Sequence, residues 1–518
     1  MHDTLRLPMK TLPLLLALVL PPALAATVEP RFAVAAYQVD GDNPLPAADT
    51  QRVLAPFTGD NQDIGRLQQA AAALQGELAA RGHGFYRVVL PPQTLDGTVR
   101  LTLAMLPVGE ISVSGNQHFP TPTIRAALPT LQTGQPPDTR ALARNLAQFN
   151  DHPAHRAVLT LSESREREAI DVKVGVEDEK PWLAFASLQN NGNRETGKWR
   201  LSVGAQASRL GDSDQQLTAS YTTSPDRHHR DVSQAGAAWK LPLYALATDL
   251  SAYAVYSNVD SGTVGGFFDV AGQGHFYGVR ATRHLLGSGK LRQSLGLGLD
   301  SKFFTNRVMF GDDNLGSDVG ARPLSLSWNG EWRDASGQVS SSFDFTRNLP
   351  GGPDNDDAHY AANRQGATRH WQAWHANLNA NASLPRNWAL SGRLQGQYSD
   401  DALIPGEQFG LGGSQSVRGY EEREVAGERG LLATFEVWTP PLADSLRALA
   451  FADAGTVRRV DVQPGEAAGN TLASLGAGLR WQPHPAFGLS LDLACPLKDS
   501  PATQAGTWRA HLLASARF

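Results

Sequence analysis

The sequence contains a single cysteine, Cys495, so no disulfide can form within the chain. Beyond its first 25 residues it has no run of about 18 apolar residues, which argues against a transmembrane helix. The net charge is only −5, with 46 Lys and Arg against 51 Asp and Glu, and this balance gives no sign of a nucleic-acid partner. The composition would fit a soluble protein, but a transmembrane barrel also needs only one apolar face on each strand.

Familiar catalytic and nucleotide-binding patterns are also missing. Ser414 and Ser416 lie in a glycine-rich segment, but neither stands in a Gly-x-Ser-x-Gly elbow, and no His and Asp partners occur at a recognised spacing. Gly412 and Gly413 are followed by no lysine and lack a strand-to-helix context, which argues against a phosphate-binding loop. We therefore expect no enzymatic activity and no cofactor.

Two segments offer metal-binding side chains. One is the pair His228-His229, and the other is the run Gly352-Pro353-Asp354-Asn355-Asp356-Asp357. Calcium prefers oxygen ligands, but the acidic positions do not have the spacing of an EF-hand. We therefore interpret the acidic run as a solvated loop and the histidine pair as an ordinary loop feature, and expect no metal site.

The N-terminus has the pattern of a secretory signal peptide. Arg6 and Lys10 precede an apolar run, Leu12 to Leu20, and Ala23-Leu24-Ala25 supplies the small residues of a cleavage site. A membrane anchor is the alternative, but the run is too short for a stop-transfer helix. We assign residues 1–25 to the signal peptide.

Residues 179–518 repeat a strand pattern in which apolar and polar residues alternate. Leu295, Leu297 and Leu299 alternate with small and polar residues, for example. A soluble sandwich also alternates, but strands of about 10 residues with Trp or Tyr near their ends are typical of a transmembrane barrel. Sixteen such segments are predicted, near 181–190, 198–208, 214–224, 231–241, 247–257, 273–283, 290–303, 322–333, 337–347, 370–384, 387–399, 430–438, 446–456, 472–482, 486–495 and 507–518.

The spacing of these segments predicts how the barrel is oriented. An even number of strands closes an antiparallel barrel, and bacterial barrels have short periplasmic turns and long extracellular loops. Connections after even strands are short, as at Pro385-Arg386, whereas those after odd strands are longer, up to the loop 400–429. Both ends of the barrel are therefore expected in the periplasm, and loop 400–429 is expected to start from the extracellular side. The final strand ends on Phe518, which resembles the signal read by the barrel assembly machinery.

The long loop contains the most informative motif. Val417-Arg418-Gly419-Tyr420 follows several glycines, and it resembles the loop signature of outer-membrane transporters in the two-partner secretion family, the haemolysin secretion/activation proteins. The segment Phe451-Ala452-Asp453-Ala454-Gly455 resembles the companion motif on a nearby strand of those barrels.

The region before the barrel mixes helical and strand periods in two units, 27–107 and 108–178. In the first unit Asp63 is expected to cap a helix that ends at Gly82, and two strands follow. Each unit resembles a polypeptide-transport-associated (POTRA) domain with the order β-α-α-β-β. Leu90-Pro91-Pro92-Gln93-Thr94 closely matches the first such domain of the same family.

The resemblance implies an all-β barrel of about 16 antiparallel strands with two periplasmic α+β POTRA domains, in the outer membrane of a Gram-negative bacterium. The implied function is capture and export of an unfolded haemolysin- or adhesin-like exoprotein that carries an N-terminal secretion domain. The implied further partners are the barrel assembly machinery and outer-membrane lipids. An assembly or insertion factor of the same superfamily is the alternative, although such factors generally have more POTRA domains. Many family members begin with a helix that plugs the barrel, and no segment here fits one.

The same resemblance pairs Arg418 with Asp453. Arginine presents a planar fork that binds a carboxylate through two hydrogen bonds. An apolar-out rule would turn Phe451 towards lipid and Asp453 with it, but an acid facing lipid is costly. We therefore expect both side chains in the lumen, with Arg418 folded back to meet Asp453 and Val417, Gly419 and Tyr420 acting in gating.

Overall fold

The computed structural model describes residues 30–518 except 166–167, 194–195, 227–231, 260–262, 265–267, 270–271, 288, 307–308, 311–312 and 315. The predicted signal peptide, 1–25, and His228-His229 therefore lie outside the described residues. Within the described part of the chain, no helix is both long enough and apolar enough to cross a membrane. These residues divide into two compact units, 30–80 with 86–105, and 81–85 with 106–518.

The first unit is an α+β domain built on a three-stranded sheet of order β2-β5-β4, in which β2 and β5 run parallel. Its elements are β1 (Phe32–Val34), β2 (Ala36–Asp40), α1 (Ala47–Leu54), β3 (Gly59–Gln62), α2 (Ile64–Ala80), β4 (Tyr86–Val89) and β5 (Thr98–Met105). The first strand is divided at Ala35, because β1 pairs with β3 while β2 pairs with β5.

Helix α2 follows the predicted period. Its four buried residues are Leu67, Ala70, Leu74 and Leu78. The Asp63 side chain accepts a hydrogen bond from the backbone N–H of Arg66 at 2.8 Å, as a capping residue does. The apolar stripe of α2 thus covers the sheet of the first unit.

The second unit begins with another α+β domain, whose order β-α-α-β-β repeats that of β2, α1, α2, β4 and β5. Its elements are β6 (Val108–Ser114), α3 (Thr121–Ala126), α4 (Thr139–Asn150), β7 (His155–Glu163) and β8 (Ile170–Asp178). The sheet order is β6-β8-β7, so β7 is an edge strand. The Asp178 carboxylate accepts hydrogen bonds from the backbone N–H groups of Gln117, His118 and Phe119. Burial alone would raise the pKa of Asp178, but these donors outweigh it and hold the pKa below its ordinary value.

The rest of the second unit is a closed antiparallel barrel. Its elements are β9 (Trp182–Gln189), β10 (Arg200–Ala207), β11 (Gln216–Thr223), β12 (Gln234–Leu243), β13 (Thr248–Ser257), β14 (Thr263–Val264), β15 (Phe268–Asp269), β16 (Gly274–His284), β17 (Leu291–Phe304), β18 (Met309–Phe310), β19 (Asp313–Asn314), β20 (Val319–Ala321), β21 (Pro323–Asp334), β22 (Gly337–Asn348), α5 (Asp357–Asn363), β23 (Gln372–Ser383), β24 (Ala389–Tyr398), β25 (Phe409–Leu411), β26 (Val425–Gly427), β27 (Arg429–Trp438), β28 (Leu446–Arg458), β29 (Gly469–His484), β30 (Phe487–Pro496) and β31 (Arg509–Arg517).

The barrel has sixteen strands, because β20 and β21 form one strand interrupted at Arg322. It closes where β31 pairs with β9, and Phe518 extends this seam by exchanging backbone hydrogen bonds with Ala184 at 2.8 and 3.2 Å. The predicted all-β barrel is therefore confirmed, and each predicted strand overlaps an observed one. Periodicity succeeded here because each strand must be apolar on one side only.

The apolar side of each strand faces outward. On β21, Leu326 is 56% exposed, whereas the adjacent Ser325 and Ser327 are each 8% exposed. The outer wall is therefore apolar and the lumen is lined with polar side chains, the reverse of a soluble sandwich.

The connections between barrel strands differ in length at the two ends of the barrel. The longest turn at one end spans 208–215, and the loops at the other end run up to 399–428. We call these the short-turn end and the long-loop end.

Candidate functional site

The loop 399–428, which we call the inserted loop, folds back into the barrel and forms a small hairpin from β25 and β26. It begins and ends one residue earlier than predicted, because the ladder between β24 and β27 starts with the pair Gln397 and Gly430 and β27 includes Arg429. Gly412 and Gly413 have φ values of +106° and +103°, and a Cβ on Gly413 would meet the Glu422 carboxylate at 2.0 Å. Glycine is required at this turn because other residues rarely adopt such φ values.

The tip of the loop brings Arg418 onto the inner wall. Arg418 Nε donates to Asp453 Oδ2 at 2.8 Å and Nη2 donates to Asp453 Oδ1 at 2.9 Å, so the pair is bidentate. The backbone N–H of Arg418 also donates to Asp453 Oδ2 at 3.1 Å. Arg418 and Asp453 are 4% and 2% exposed. The Asp453 carboxylate thus accepts three hydrogen bonds from Arg418 alone.

Two more carboxylates surround the same guanidinium. Arg418 Nη1 lies 2.9 Å from Glu436 Oε1 on β27 and 3.3 Å from Asp492 Oδ2 on β30. Asp492 in turn accepts two hydrogen bonds from Arg480 on β29, at 2.6 and 2.9 Å. We call Arg418, Asp453, Glu436 and Asp492 the tip clasp.

Phe451 also faces the lumen, on the same side of β28 as Asp453. Its ring is buried, and the Arg418 guanidinium carbon lies 3.4 Å from the ring centroid. A cation over an aromatic face is attracted by the ring quadrupole. The aromatic residue that hydropathy alone would turn towards lipid therefore packs against the tip clasp.

The neighbours of Arg418 are anchored separately. The backbone N–H of Gly419 donates to His511 Nε2 on β31 at 2.9 Å. The Tyr420 hydroxyl donates to the carbonyl of Ala473 at 3.0 Å or of Lys498 at 2.9 Å. Val417 is fully buried in an apolar cluster with Leu411, Tyr420, Val425, Leu432, Val457 and Leu472. The four motif residues thus contact strands β27 to β31, which form one side of the lumen.

Sequence reasoning missed three members of the site: Glu436, Asp492 and His511. A signal for them existed, because each stands at an inward position of a predicted strand. Phe435 and Leu493 beside the two acids are 50% and 46% exposed on the outer face. The pattern indicated polar inward positions, but which of them would meet Arg418 depends on strand register.

The acidic run 352–357 is more ordered than a solvated loop. Asp356 Oδ1 accepts hydrogen bonds from the backbone N–H groups of Ala358 and His359, both at 3.0 Å, and so caps α5. Asn355 is buried and donates to the carbonyls of Leu349 and Gly351. Over the described residues, no group of three or more His, Cys, Asp or Glu is arranged to hold a metal ion.

Among the described residues, cavities that open into the lumen lie next to the site. One of about 340 Å³ lies at the tip clasp and is lined by residues that include Arg393, Arg418 and Asp492. Another, of about 770 Å³, runs from α4 past the connection 285–290 to the inner wall of β21, β22 and β23. The lumen is therefore partly filled by the inserted loop and remains hollow towards the short-turn end.

Two family models match this chain, one over most of the barrel and the other over the first N-terminal domain. The model of the haemolysin secretion/activation protein family ShlB/FhaC/HecB matches residues 168–481, and that of ShlB-type POTRA domains matches residues 32–104. The heme/hemopexin transporter protein HuxB of Haemophilus influenzae is 23% identical over 469 residues, 86% of this chain and 80% of HuxB. The outer membrane transporter CdiB of Escherichia coli is 24% identical over 472 residues, 89% of this chain and 78% of CdiB.

Among solved structures, CdiB from Escherichia coli matches with a TM-score of 0.79 at 20% identity, over 97% of this chain and 93% of that chain. At this identity the likeness establishes a shared fold. The barrel and the N-terminal domains are included in it, since nearly the whole chain is covered.

Proposed function

Because the chain belongs to the haemolysin secretion/activation protein family ShlB/FhaC/HecB, we propose that it exports one partner protein through its barrel by two-partner, or type V, secretion. The observation that carries the proposal is the inserted loop, which is held by charged side chains inside a closed barrel. A passive pore for small solutes needs no such loop. A translocator does, because its lumen must be filled at rest and wide during export.

The hollow part of the lumen supports a path for an unfolded chain. The larger cavity is lined by Asn150 on α4 and by Ser340, Ser342, Asn377 and Asn379 on the inner wall. An extended polypeptide carries unpaired backbone N–H and C=O groups, which are costly to bury without partners. Short neutral polar side chains and water satisfy these groups without binding any one sequence tightly.

Capture is proposed to use the edge strand β7. Val158 and Leu161 on this strand are 70% and 51% exposed, although both are apolar. An extended peptide can add a strand to such an edge through main-chain hydrogen bonds, with pockets or patches for alternate side chains. This mode suits an unfolded exoprotein because backbone pairing depends little on sequence.

The remaining assignments complete the proposal. We assign 1–25 to a signal peptide, 27–107 and 108–178 to two POTRA domains in the periplasm, and 179–518 to a barrel in the outer membrane of a Gram-negative bacterium. The exposed outer-wall residues are proposed to contact lipid. Phe518, which is 72% exposed at the seam, is proposed to be read by the barrel assembly machinery. We propose no catalytic role.

The proposal is tested by deleting the gene and following a large secreted protein that has an N-terminal secretion domain and is encoded nearby. We expect that protein to stay inside the cell and the other barrel proteins to keep their normal levels. A general loss of outer-membrane barrels would instead identify an assembly factor. Export that continues without this chain would overturn the proposal.

Capture is tested with a photo-crosslinking amino acid at Val158 in the full chain. We expect adducts with the exoprotein during export, and none from the matched position Gln132, an exposed loop residue of the same domain. Equal labelling from both positions would argue against an edge-strand site.

A further inference from the structure

The inserted loop has a second attachment at its base, around Glu428. Glu428 is fully buried. Its Oε1 accepts hydrogen bonds from Gln408 Nε2 at 2.8 Å and from the backbone N–H of Leu403 at 3.3 Å, and its Oε2 accepts one from the backbone N–H of Val460 at 2.9 Å. Arg364 Nε lies 3.0 Å from the same Oε1. A charge this deeply buried is stable only when its partners surround it.

Arg364 extends this attachment to two other loops. It follows α5 in the loop 349–371, which we call the α5 loop, and its side chain is only 7% exposed. Its Nη2 donates to the Val460 carbonyl at 2.8 Å, and its Nη1 lies 3.5 Å from Glu466. Glu428 and Arg364, which we call the base clasp, therefore join the α5 loop, the inserted loop and the loop 459–468.

An apolar cluster lies on the inner side of the same loops. Tyr360, Ala367 and Trp371 of the α5 loop and Leu403 and Ile404 of the inserted loop are all buried. They pack against inward-facing residues of three strands, namely Val255 on β13, Phe276 on β16 and Phe304 on β17. The α5 loop thus folds into the mouth of the barrel on the side of β13 to β17, whereas the tip clasp lies on the side of β27 to β31.

We propose that the α5 loop is a gate over the long-loop end, and that the base clasp holds it shut independently of the tip clasp. Two features support separate action. The two clasps share no residue. The tip clasp holds Arg418 against Asp453 within β28, whereas the base clasp joins loop residues beyond the strand ends, at Glu428, Arg364 and Val460. Removing Arg364 leaves the buried Glu428 carboxylate without a cation, and removing Glu428 leaves Arg364 with only the more distant Glu466. Either change favours outward movement of the α5 loop, because that movement lets water reach the remaining charge.

The inference rests on the proposed function only in naming the exported chain as what passes the gate. Closure itself needs no exoprotein and is measured as ion flow. Failure of the gate and failure of the secretion proposal are therefore distinguishable. If base-clasp variants leak while the parent protein exports nothing, the gate is supported and the secretion proposal is not.

The first experiment records the full-length protein in planar bilayers. We expect Glu428→Gln and Arg364→Gln each to raise the open probability at least about tenfold, because each change unbalances a buried ion pair. The matched control is Asp400→Asn, which removes a carboxylate from the exposed ion pair with Arg429 at the other base of the inserted loop. Exposed pairs contribute little, so this control should conduct like the parent. Parent-like conductance of both clasp variants would overturn the proposal.

A second experiment removes the question of misfolding, because one protein serves as its own control. Cys495 is the only cysteine, so Cys495→Ser provides a background for Arg364→Cys with Glu428→Cys. Reduced, this variant lacks the clasp and should leak. Joined by a short bis-thiosulfonate linker it should close, and it should reopen when a reductant is added. Conductance that is the same in the linked and reduced states would show that these loops do not gate the pore.

Discussion

The two ends of the barrel are held by different chemistry. At the long-loop end and within the lumen, the inserted loop is fastened by ion pairs centred on Arg418 and Glu428. At the short-turn end, buried neutral donors fasten the domain 108–178 to barrel turns, and the ion pair between Asp151 and Arg292 at this end is exposed. Asn145 Nδ2 donates to the Tyr244 carbonyl at 2.7 Å, and His152 Nε2 lies 2.8 Å from the Ser208 carbonyl.

Aromatic rings of the domain 108–178 lie at the same junction, where the Phe149 ring is 6.3 Å from the Tyr244 ring of a barrel turn. The rings of His152 and His155 stack at 3.9 Å between centroids, and those of Phe149 and His155 at 3.8 Å. Separation of the domain from the barrel would expose these rings to water. Separation of an ion pair in a pore costs less once water enters, because each charge is then hydrated. The inserted loop is therefore suited to move while the domain 108–178 stays docked.

The largest effect is expected from Arg418→Ala. The change leaves Asp453, Glu436 and Asp492 together without their shared cation, at a cost of roughly 3–5 kcal/mol for the buried pair. We expect secretion to be abolished while the barrel still assembles, as measured by export of the partner and by heat-modifiable mobility on a gel. Arg429→Ala, which removes an exposed ion pair with Asp400 and the contacts of Arg429 with Ser399 and Tyr398, is the matched control. Normal secretion by Arg418→Ala would remove the functional role of the tip clasp.

A charge swap sharpens the same test. Considered as a pair alone, Arg418→Asp with Asp453→Arg should restore function. In the structure, however, an aspartate at position 418 would face Glu436 and Asp492. We therefore expect the double variant to fail like the single one. Recovery would mean that Asp453 alone determines the position of the loop.

At the short-turn end, the test is Tyr244→Phe. The Tyr244 hydroxyl donates to Asp214 Oδ2 at 2.7 Å, and Asp214 is 3% exposed. Removing one donor leaves a buried acceptor short of a partner, which costs about 1–3 kcal/mol. We expect faster hydrogen exchange in α4 and β7 with no added conductance. Increased conductance without faster hydrogen exchange would contradict the view that the short-turn end is fixed and the long-loop end is movable.

Acidification should weaken the same attachment through His152. Burial, followed by the neighbouring His155, lowers the pKa of His152 to about 4, while Asp214 opposes the shift. The backbone N–H of Ala154 donates to His152 Nδ1 at 3.2 Å, so the ring is neutral when docked. Because the released ring binds its proton near pH 6.5, docking is favoured above that pH and weakens as the pH falls towards 4, by about 2 kcal/mol at pH 5.

Hydrogen exchange of residues 139–163, corrected for the intrinsic effect of pH, measures this weakening. His152→Asn should lower protection at pH 7.5 but remove the pH dependence. A flat profile for the parent between pH 7.5 and 5 would mean that His152 keeps its protonation state on release.

The smallest effect is expected from Phe451→Leu, which separates stacking from charge at the tip clasp. The ion pairs of Arg418 remain, and the lost cation–π contact is worth about 0.5–2 kcal/mol. We expect secretion to fall by roughly threefold. A loss as complete as that of Arg418→Ala would mean that the ring, rather than the carboxylates, positions the loop.

Local sequence patterns did not predict the helix α5. Asp356 is a capping residue and was available as a signal, but α5 has only seven residues and no period long enough to be recognised. Its order comes from Tyr360 and Trp371, which are buried against residues of β13, β16 and β17. A helix that short is stabilised by tertiary packing rather than by propensity.

Local patterns in the sequence predict the sixteen strands, their outward faces, the two kinds of connection and the α+β order of the N-terminal domains. Each of these depends on a local period or on the length of a connection, because one face of a strand must be apolar whatever its neighbours are. The contacts of Glu436, Asp492 and His511 with the motif residues, and of Glu428 with Arg364, became visible only in the folded structure. These contacts join distant strands and loops across a lumen, so they are fixed by barrel closure and strand register, which no local pattern contains.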